Sequence, residues 1–241
     1  MKRTLCVGTL AAGTLFGGAA LAYEAGAVSG GGSIAGAVSF TGAVPPPRSL
    51  PITKDNQVCG SGNREIVEVN VAGGKLAGAV VYVSKIDKGK AWGAAAAPIL
   101  DQKGCAFAPE VLVVQKDVDL TIRNSDPVLH NIHTYEIIGK VRRTMFNVGQ
   151  PDKGDIKQSI KVRRANAVKV ECDAHDFMHG WAFAADNPYA AVTRADGSFT
   201  LEDVPAGDYE VKVWHPVLGE QSAKVSVKGG AAAAASFTFA N

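Results

Sequence analysis

The run Val168-Lys-Val-Glu-Cys172-Asp-Ala-His175-Asp-Phe-Met178-His-Gly180 joins two patterns in thirteen residues. Val168, Val170 and Cys172 alternate with Lys169 and Glu171. That period of two belongs to a half-buried strand and turns the thiol inward at the strand's end. Cys172, His175 and Met178 then follow at intervals of three, a spacing that lets one tight loop bring three side chains to a single point.

Working outward, the same strand period recurs on both sides. Upstream, 111–114, 118–122 and 160–162 are strand-like, whereas 140–155 is polar and reads as a loop. Further upstream, 33–40 alternates as a strand and Pro45-Pro46-Pro47 begins an extended connection. Segments 65–71 and 76–83 read as strands joined by a Gly73-Gly74 turn. An Ala/Gly run within 85–104 marks a boundary. After Asn187-Pro188 come crisp hairpins: a turn at Asp196-Gly197, strands at 199–201, 209–213 and 223–227, a turn at Gly229-Gly230 and a strand at 236–239. The expected class is all-β.

The N-terminus sets the compartment. Lys2 and Arg3 precede an apolar run that closes on Ala20-Leu21-Ala22, the pattern of a secretory signal peptide over 1–22. Cys6 lies too early to be a lipidated cysteine at that cleavage site. No later stretch is long and apolar enough to span a bilayer, so the expectation is an exported, periplasmic protein with no membrane insertion after cleavage. Removing Lys2 and Arg3 from the 25 basic residues leaves 23, equal to the 23 acidic ones. A neutral chain favours neither nucleic acid nor an anionic membrane as partner. Without Cys6 three cysteines remain, and in an oxidising compartment an odd count means one disulfide and one reserved thiol. Cys59 (VCGSG) and Cys105 (KGCAF) sit beside glycines in turn-like contexts and suit a staple, which leaves Cys172 free.

Four of the five histidines fall between 130 and 179, in N124-S-D-P-V-L-H130-N-I-H133 and in C172-D-A-H175-D-F-M178-H179. A thiolate, two imidazoles and a thioether are the donors of a blue-copper site, since copper must cycle between a sulfur-preferring and a nitrogen-preferring state. Zinc shares the Cys and His donors, but Met is a poor zinc ligand. A Cys172–His175 nucleophile has no evident oxyanion or orienting group. A single loop cysteine excludes a dinuclear CuA centre, and five histidines are too few for a complete multicopper oxidase. His133, His179 and His215 read as packing or hydrogen-bonding residues.

The loop C172DAHDFMHG180 resembles the ligand loop of amicyanin-like cupredoxins, and H130NIH133 resembles the segment that carries the first histidine in amicyanin- and plastocyanin-like members. The resemblance implies one type 1 copper ion held by His130, Cys172, His175 and Met178, with Asn131 fastening the two ligand segments together. Where the family pattern has Pro after the second ligand histidine, this chain has Asp176, so that Asp173 and Asp176 bracket His175. G32SIAGAVSFTG42, L76AGAVVYV83 and T193RADGSFTLEDVPAGDYEVKVWH215 resemble a carboxypeptidase regulatory-like (transthyretin-like) β-sandwich. Neither flank has strands enough for a sandwich alone. The expected organisation is therefore a cupredoxin Greek-key sandwich over 96–186, inserted in a discontinuous sandwich formed by 23–95 and 187–241. The combination is similar to secreted proteins labelled methylamine utilisation. It implies a monomeric, non-enzymatic carrier of single electrons between redox protein partners, with His175 at the solvent edge as electron port. The alternative is a copper sequestration or delivery protein.

Overall fold

The computed structural model describes residues 23–93 and 98–240; the expected signal segment, 1–22, lies outside them. The described chain is almost entirely β, organised as two sheet pairs around separate apolar cores. One pair is formed by strands between 99 and 185. Its smaller sheet runs Phe107–Ala108, Ile99–Gln102, Asp119–Asn124, Gly154–Ser159. Its larger sheet runs Val111–Gln115, His179–Ala185, Ala167–Glu171, His130–Ile138, Val141–Gln150. Leu100, Leu120 and Ile122 of the first sheet and Leu112, Val114, Ile132, Val168 and Val170 of the second are buried in one cluster.

The other pair draws on both ends of the chain. Ala190–Val192, Val80–Val83, Gly207–His215 and Gly219–Val227 make one sheet. Ser198–Val204, Gly32–Thr41, Lys75–Leu76 and Val71–Ala72 make the other, and Ala232–Ala240 adds in parallel to Gly32–Thr41. Strand Gly32–Thr41 is thus clasped between Ser198–Val204 and Ala232–Ala240. A Cβ at Gly36 would fall 1.6 Å from the carbonyl oxygen of Ala235. Backbone rather than a pliable side chain blocks it, so Gly36→Ala should cost about 2 kcal/mol or more, measurable as a lowered urea midpoint. An unchanged midpoint would mean that the strand pair can part without loss.

The two sheet pairs meet along an aromatic seam. Phe183 packs on Tyr82 and Trp214, with ring centroids 4.6 and 5.6 Å apart, and Trp181 meets Trp214 edge-on. A small hairpin, Arg48–Pro51 with Asn63–Ile66, and the short helix Asn56–Cys59 between its strands lie outside both sheet pairs. Leu50, Ile52, Val58 and Cys59 of this 48–66 segment pack against the core formed by the strands between 99 and 185.

Four sequence expectations need correction. The polar stretch 140–155 is a loop only in part, because Val141–Gln150 is a ten-residue strand paired with His130–Ile138. It is an edge strand with little to bury, so its sequence lacks the apolar alternation that marks inner strands. Residues 160–162 are not a strand, although Ile160 and Val162 are buried. Neither 65–71 nor 76–83 is one strand: Asn63–Ile66 belongs to the small hairpin, Val71–Ala72 pairs with Lys75–Leu76 around Gly73 and Gly74, and Val80–Val83 lies in the other sheet. Both glycines adopt positive φ (57° and 75°), as the turn requires.

Candidate metal centre

Strand periodicity aims the first histidine. In His130–Ile138 the buried positions are His130, Ile132, Thr134 and Glu136, every second residue, so His130 points inward because Ile132 does. Cys172 follows the last residue of Ala167–Glu171 and continues the inward face of Val168 and Val170. The loop after it is wound by two backbone bonds, from His175 N–H to Cys172 O (3.3 Å) and from Met178 N–H to His175 O (3.0 Å). It delivers the chain directly into strand His179–Ala185.

These elements bring three donors together. His130 Nδ1 lies 3.1 Å from His175 Nδ1, and Cys172 Sγ lies 4.0 and 3.7 Å from the two nitrogens. All three residues are at most 2% exposed. Met178 is buried in the same core cluster, at the end of the loop. Asn131 ties the two segments: its Oδ1 accepts from the N–H groups of Asp173 (2.7 Å) and Ala174 (3.1 Å), while its own N–H points at Cys172 Sγ (3.5 Å).

The far nitrogens decide what the near ones can do. His130 Nε2 is 3.0 Å from Asp126 Oδ2, and His175 Nε2 is 2.9 Å from Asp55 Oδ2. An ionised carboxylate only accepts, so each Nε2 carries a proton, and a ring with no second proton presents its lone pair at Nδ1. Two lone pairs facing each other beside a sulfur, all out of water, repel unless a cation lies between them. Their spacing is the one that ligands about 2.0–2.3 Å from a common ion produce. The donors therefore fit a soft or borderline metal ion, and the paired carboxylates are the orienting groups such histidines use.

The electrostatics agree with this fit. Burial lowers the pKa of His130 below the usual imidazole value, and the hydrogen bond to Asp126 recovers only part of that, so the ring stays neutral. Burial likewise raises the Cys172 thiol, against backbone N–H groups of Asn131, His175 and Ala174 that favour its anion. A bound cation supplies the charge that the site otherwise lacks. Asp126 is buried, which would raise its pKa. Hydrogen bonds from Cys105 N–H, His130 and Gly104 N–H outweigh burial and keep it ionised.

The remaining histidines do other work. His133 faces away from the centre and bonds Asp173 (3.0 Å) and the Tyr135 hydroxyl (2.8 Å). His215 is buried, accepts N–H bonds from Val217 and Leu218, and is pushed down to about 4 by burial. His179 lines a cleft of about 150 Å³ with Lys169, Trp181 and Glu110, its nitrogens without a hydrogen-bond partner among the described residues and Nδ1 3.8 Å from Glu171 Oε1.

The expectation that His175 lies at the solvent edge is wrong. It is 1% exposed, with Asp55 and Cys59 of the 48–66 segment lying against it. Asp55, in the left-handed conformation (φ 50°) just before helix Asn56–Cys59, supplies the carboxylate that meets its outer nitrogen. Asp173 faces His133 instead, and Asp176 is exposed. A disulfide, Cys59–Cys105, anchors the covering segment, and Cys172 is the free thiol among the described residues, as the cysteine arithmetic predicts. Sequence reasoning missed both orienting carboxylates. Asp126 had a local signal, four residues before His130. Asp55, 120 positions from its partner, had none.

No family model matches the chain, and no curated protein matches it. Among solved structures, a purple cupredoxin from Nitrosopumilus maritimus aligns at 19% identity over 36% of this chain and 96% of that one, with a TM-score of 0.30. The oxidised P94A mutant of amicyanin aligns at 19% identity over 39% of this chain and 86% of that one (TM-score 0.31). A copper-containing nitrite reductase from Thermus scotoductus SA-01 aligns at 16% identity over 36% of this chain and 22% of that one (TM-score 0.28).

Proposed function

We propose that the chain is a periplasmic type 1 copper protein that carries single electrons between redox partners. His130, Cys172 and His175 would hold the copper, with Met178 as a further, weaker donor. The observation that carries the reading is the pair of Nδ1 atoms 3.1 Å apart beside a buried thiol, with both outer nitrogens committed to carboxylates. Bound there, copper would supply reversible one-electron chemistry between its Cu(I) and Cu(II) states. The chain's own contribution is rigidity. Strand pairing holds His130, Asn131 clamps the Cys172 loop, and Asp126 and Asp55 keep both rings in one tautomer and orientation. Donors that cannot rearrange keep the structural cost of electron transfer small. Titrating the protein with Cu(II) tests this: one equivalent should develop an intense visible thiolate-to-copper absorption, and colourless loaded protein would exclude a type 1 site.

The strands between 99 and 185 form the cupredoxin sandwich in this reading. The sandwich that joins strands from before 84 and after 189 is carboxypeptidase regulatory-like. The shared sheet in which Val80–Val83 lies between Ala190–Val192 and Gly207–His215 supports its assembly from two separate chain segments, and its family likeness rests on the sequence motifs alone.

One observation favours the alternative of copper sequestration or delivery: His175 is sealed from solvent, so no partner touches its ring edge directly. Asp55→Ala removes the outer hydrogen bond while leaving the three inner donors. It should weaken copper binding by about 10–100-fold, read by competition with a chelator. Reversible cycling at a defined potential without copper loss supports the carrier, whereas rapid handover to the chelator supports delivery.

A further inference from the structure

The disulfide that anchors the covering segment also borders the metal centre. The Cys59 and Cys105 sulfurs and a ring nitrogen of His175 all lie within 4.8 Å of one another. Cys105 Sγ, a carboxylate oxygen of Asp126 and a ring nitrogen of His130 form a second such group. All five side chains are buried. A staple needed only to hold a surface segment could sit anywhere along 48–66. This one sits against both histidines of the centre.

We propose that Cys59 and Cys105 are a redox-controlled pair of soft-metal donors, closed as a disulfide under oxidising conditions. As a dithiol they bind a second Cu(I) ion beside His175. The inference rests on the copper reading of the neighbouring centre. Opening needs a dithiol reductant. One of its thiolates attacks Cys59, which is 5% exposed where Cys105 is 0%. The S–S bond breaks and a mixed disulfide forms, with the Cys105 sulfur leaving as the thiol. The reductant's second thiolate then displaces Cys59. Two electrons and two protons pass to the protein, and the reductant ends as a disulfide. Binding of Cu(I) releases those two protons from the thiols to solvent. Two thiolates suit Cu(I) because it is soft and accepts low coordination.

The fold keeps the two sulfurs adjacent once the bond is open. Arg64 donates from Nη2 to both Cys59 O and Gly104 O, each at 3.1 Å, so one guanidinium joins the two chain segments independently of sulfur. The same guanidinium lies over the Phe177 ring, 5.6 Å from its centroid. The backbone of 104–105 is also held by the Asp126 carboxylate, through the N–H groups of Gly104 and Cys105. The positive charge of Arg64 favours a site that gains thiolate charge.

The experiment measures Cu(I) uptake by the full exported chain against a chromophoric Cu(I) chelator, before and after reduction with a dithiol and removal of the reductant. Capacity should rise from one Cu(I) per chain to two on reduction. The double variant Cys59→Ser/Cys105→Ser should stay at one in both conditions, with the visible absorption of its Cu(II) form intact. Cys172→Ser should gain one equivalent on reduction alone. Unchanged capacity after thiol titration shows the disulfide open would overturn the inference, as would loss of β-sheet circular dichroism on reduction. Both results leave the type 1 reading standing if the oxidised protein is coloured. Colourless oxidised protein with a gain on reduction would sink that reading and keep this one.

Discussion

On the type 1 reading proposed above, replacing Cys172 by Ser is expected to remove the visible colour of the copper-loaded protein completely. The absorption of a type 1 site is charge transfer from thiolate to Cu(II), so it disappears with the sulfur. Serine keeps the size of the side chain and its place after strand Ala167–Glu171, but a hydroxyl offers a hard, protonated oxygen where a soft anion is needed. His130 and His175 keep their carboxylate partners in the variant, so copper can still bind, more weakly and without colour. Absorption spectra with metal quantification on the same samples separate loss of colour from loss of copper. A Cys172→Ser protein that stays coloured would place the thiolate elsewhere. Cys172 is the free cysteine among the described residues, so that result would require an opened Cys59–Cys105 bridge.

The second large effect is on stability and concerns Glu136. Its side chain is fully buried beneath strand His130–Ile138, the strand that also carries the first histidine. Burial alone would raise its pKa. It is opposed by N–H donors from Arg164, Ala165 and Arg163 on Oε1 and by the Arg143 guanidinium on Oε2, which together bring it down to about 2. A folded-state value below the ordinary one means that the fold favours the charged form. The contribution is complete above about pH 4.5 and is lost as pH falls through the folded value near 2. Two to three pKa units correspond to about 3 kcal/mol. Glu136→Gln turns an amide donor towards groups that only donate and leaves Arg143 partly unpaired. The expected loss at pH 7 is about 3 kcal/mol. Urea unfolding of both proteins between pH 7 and pH 3 tests the account, with the gap narrowing on the acid side. A gap that is absent at pH 7, or constant with pH, would show that the carboxylate is not held ionised by this network.

The two effects lie on one strand for a physical reason. His130 and Glu136 share the inward face of His130–Ile138, six residues apart, at opposite ends of one row. A slip of one residue in its pairing with Ala167–Glu171 would turn both outward. The stability held by Glu136 and the position of the proposed metal donor are thus consequences of one register.

Periodicity made most of this legible. Val168, Val170 and Cys172 announce their strand and the inward thiol, and the hairpins after residue 190 announce theirs, because alternation is a property of each strand's own residues. With export expected, the odd cysteine count left one free thiol, and the glycine-flanked turns at Cys59 and Cys105 marked that pair off from the strand-borne Cys172, because parity and local turn context need no coordinates. Strand Val141–Gln150 was not legible. Its partner lies on one side and solvent on the other, so pairing rather than burial makes it a strand.

The centre divides the same way. The proposed donor chemistry was written in the residue types of H130NIH133 and C172DAHDFMHG180, since soft and borderline metals select sulfur and nitrogen. Bringing Nδ1 of His130 within 3.1 Å of its counterpart 45 residues later needed the pairing of His130–Ile138 with Ala167–Glu171. Asp55, the closed surface over His175 and the disulfide beside it depended on how the 48–66 segment docks on a core built from later residues. Docking is decided by the summed burial of Leu50, Ile52, Val58 and Cys59 against that core, and no short-range pattern encodes such a sum.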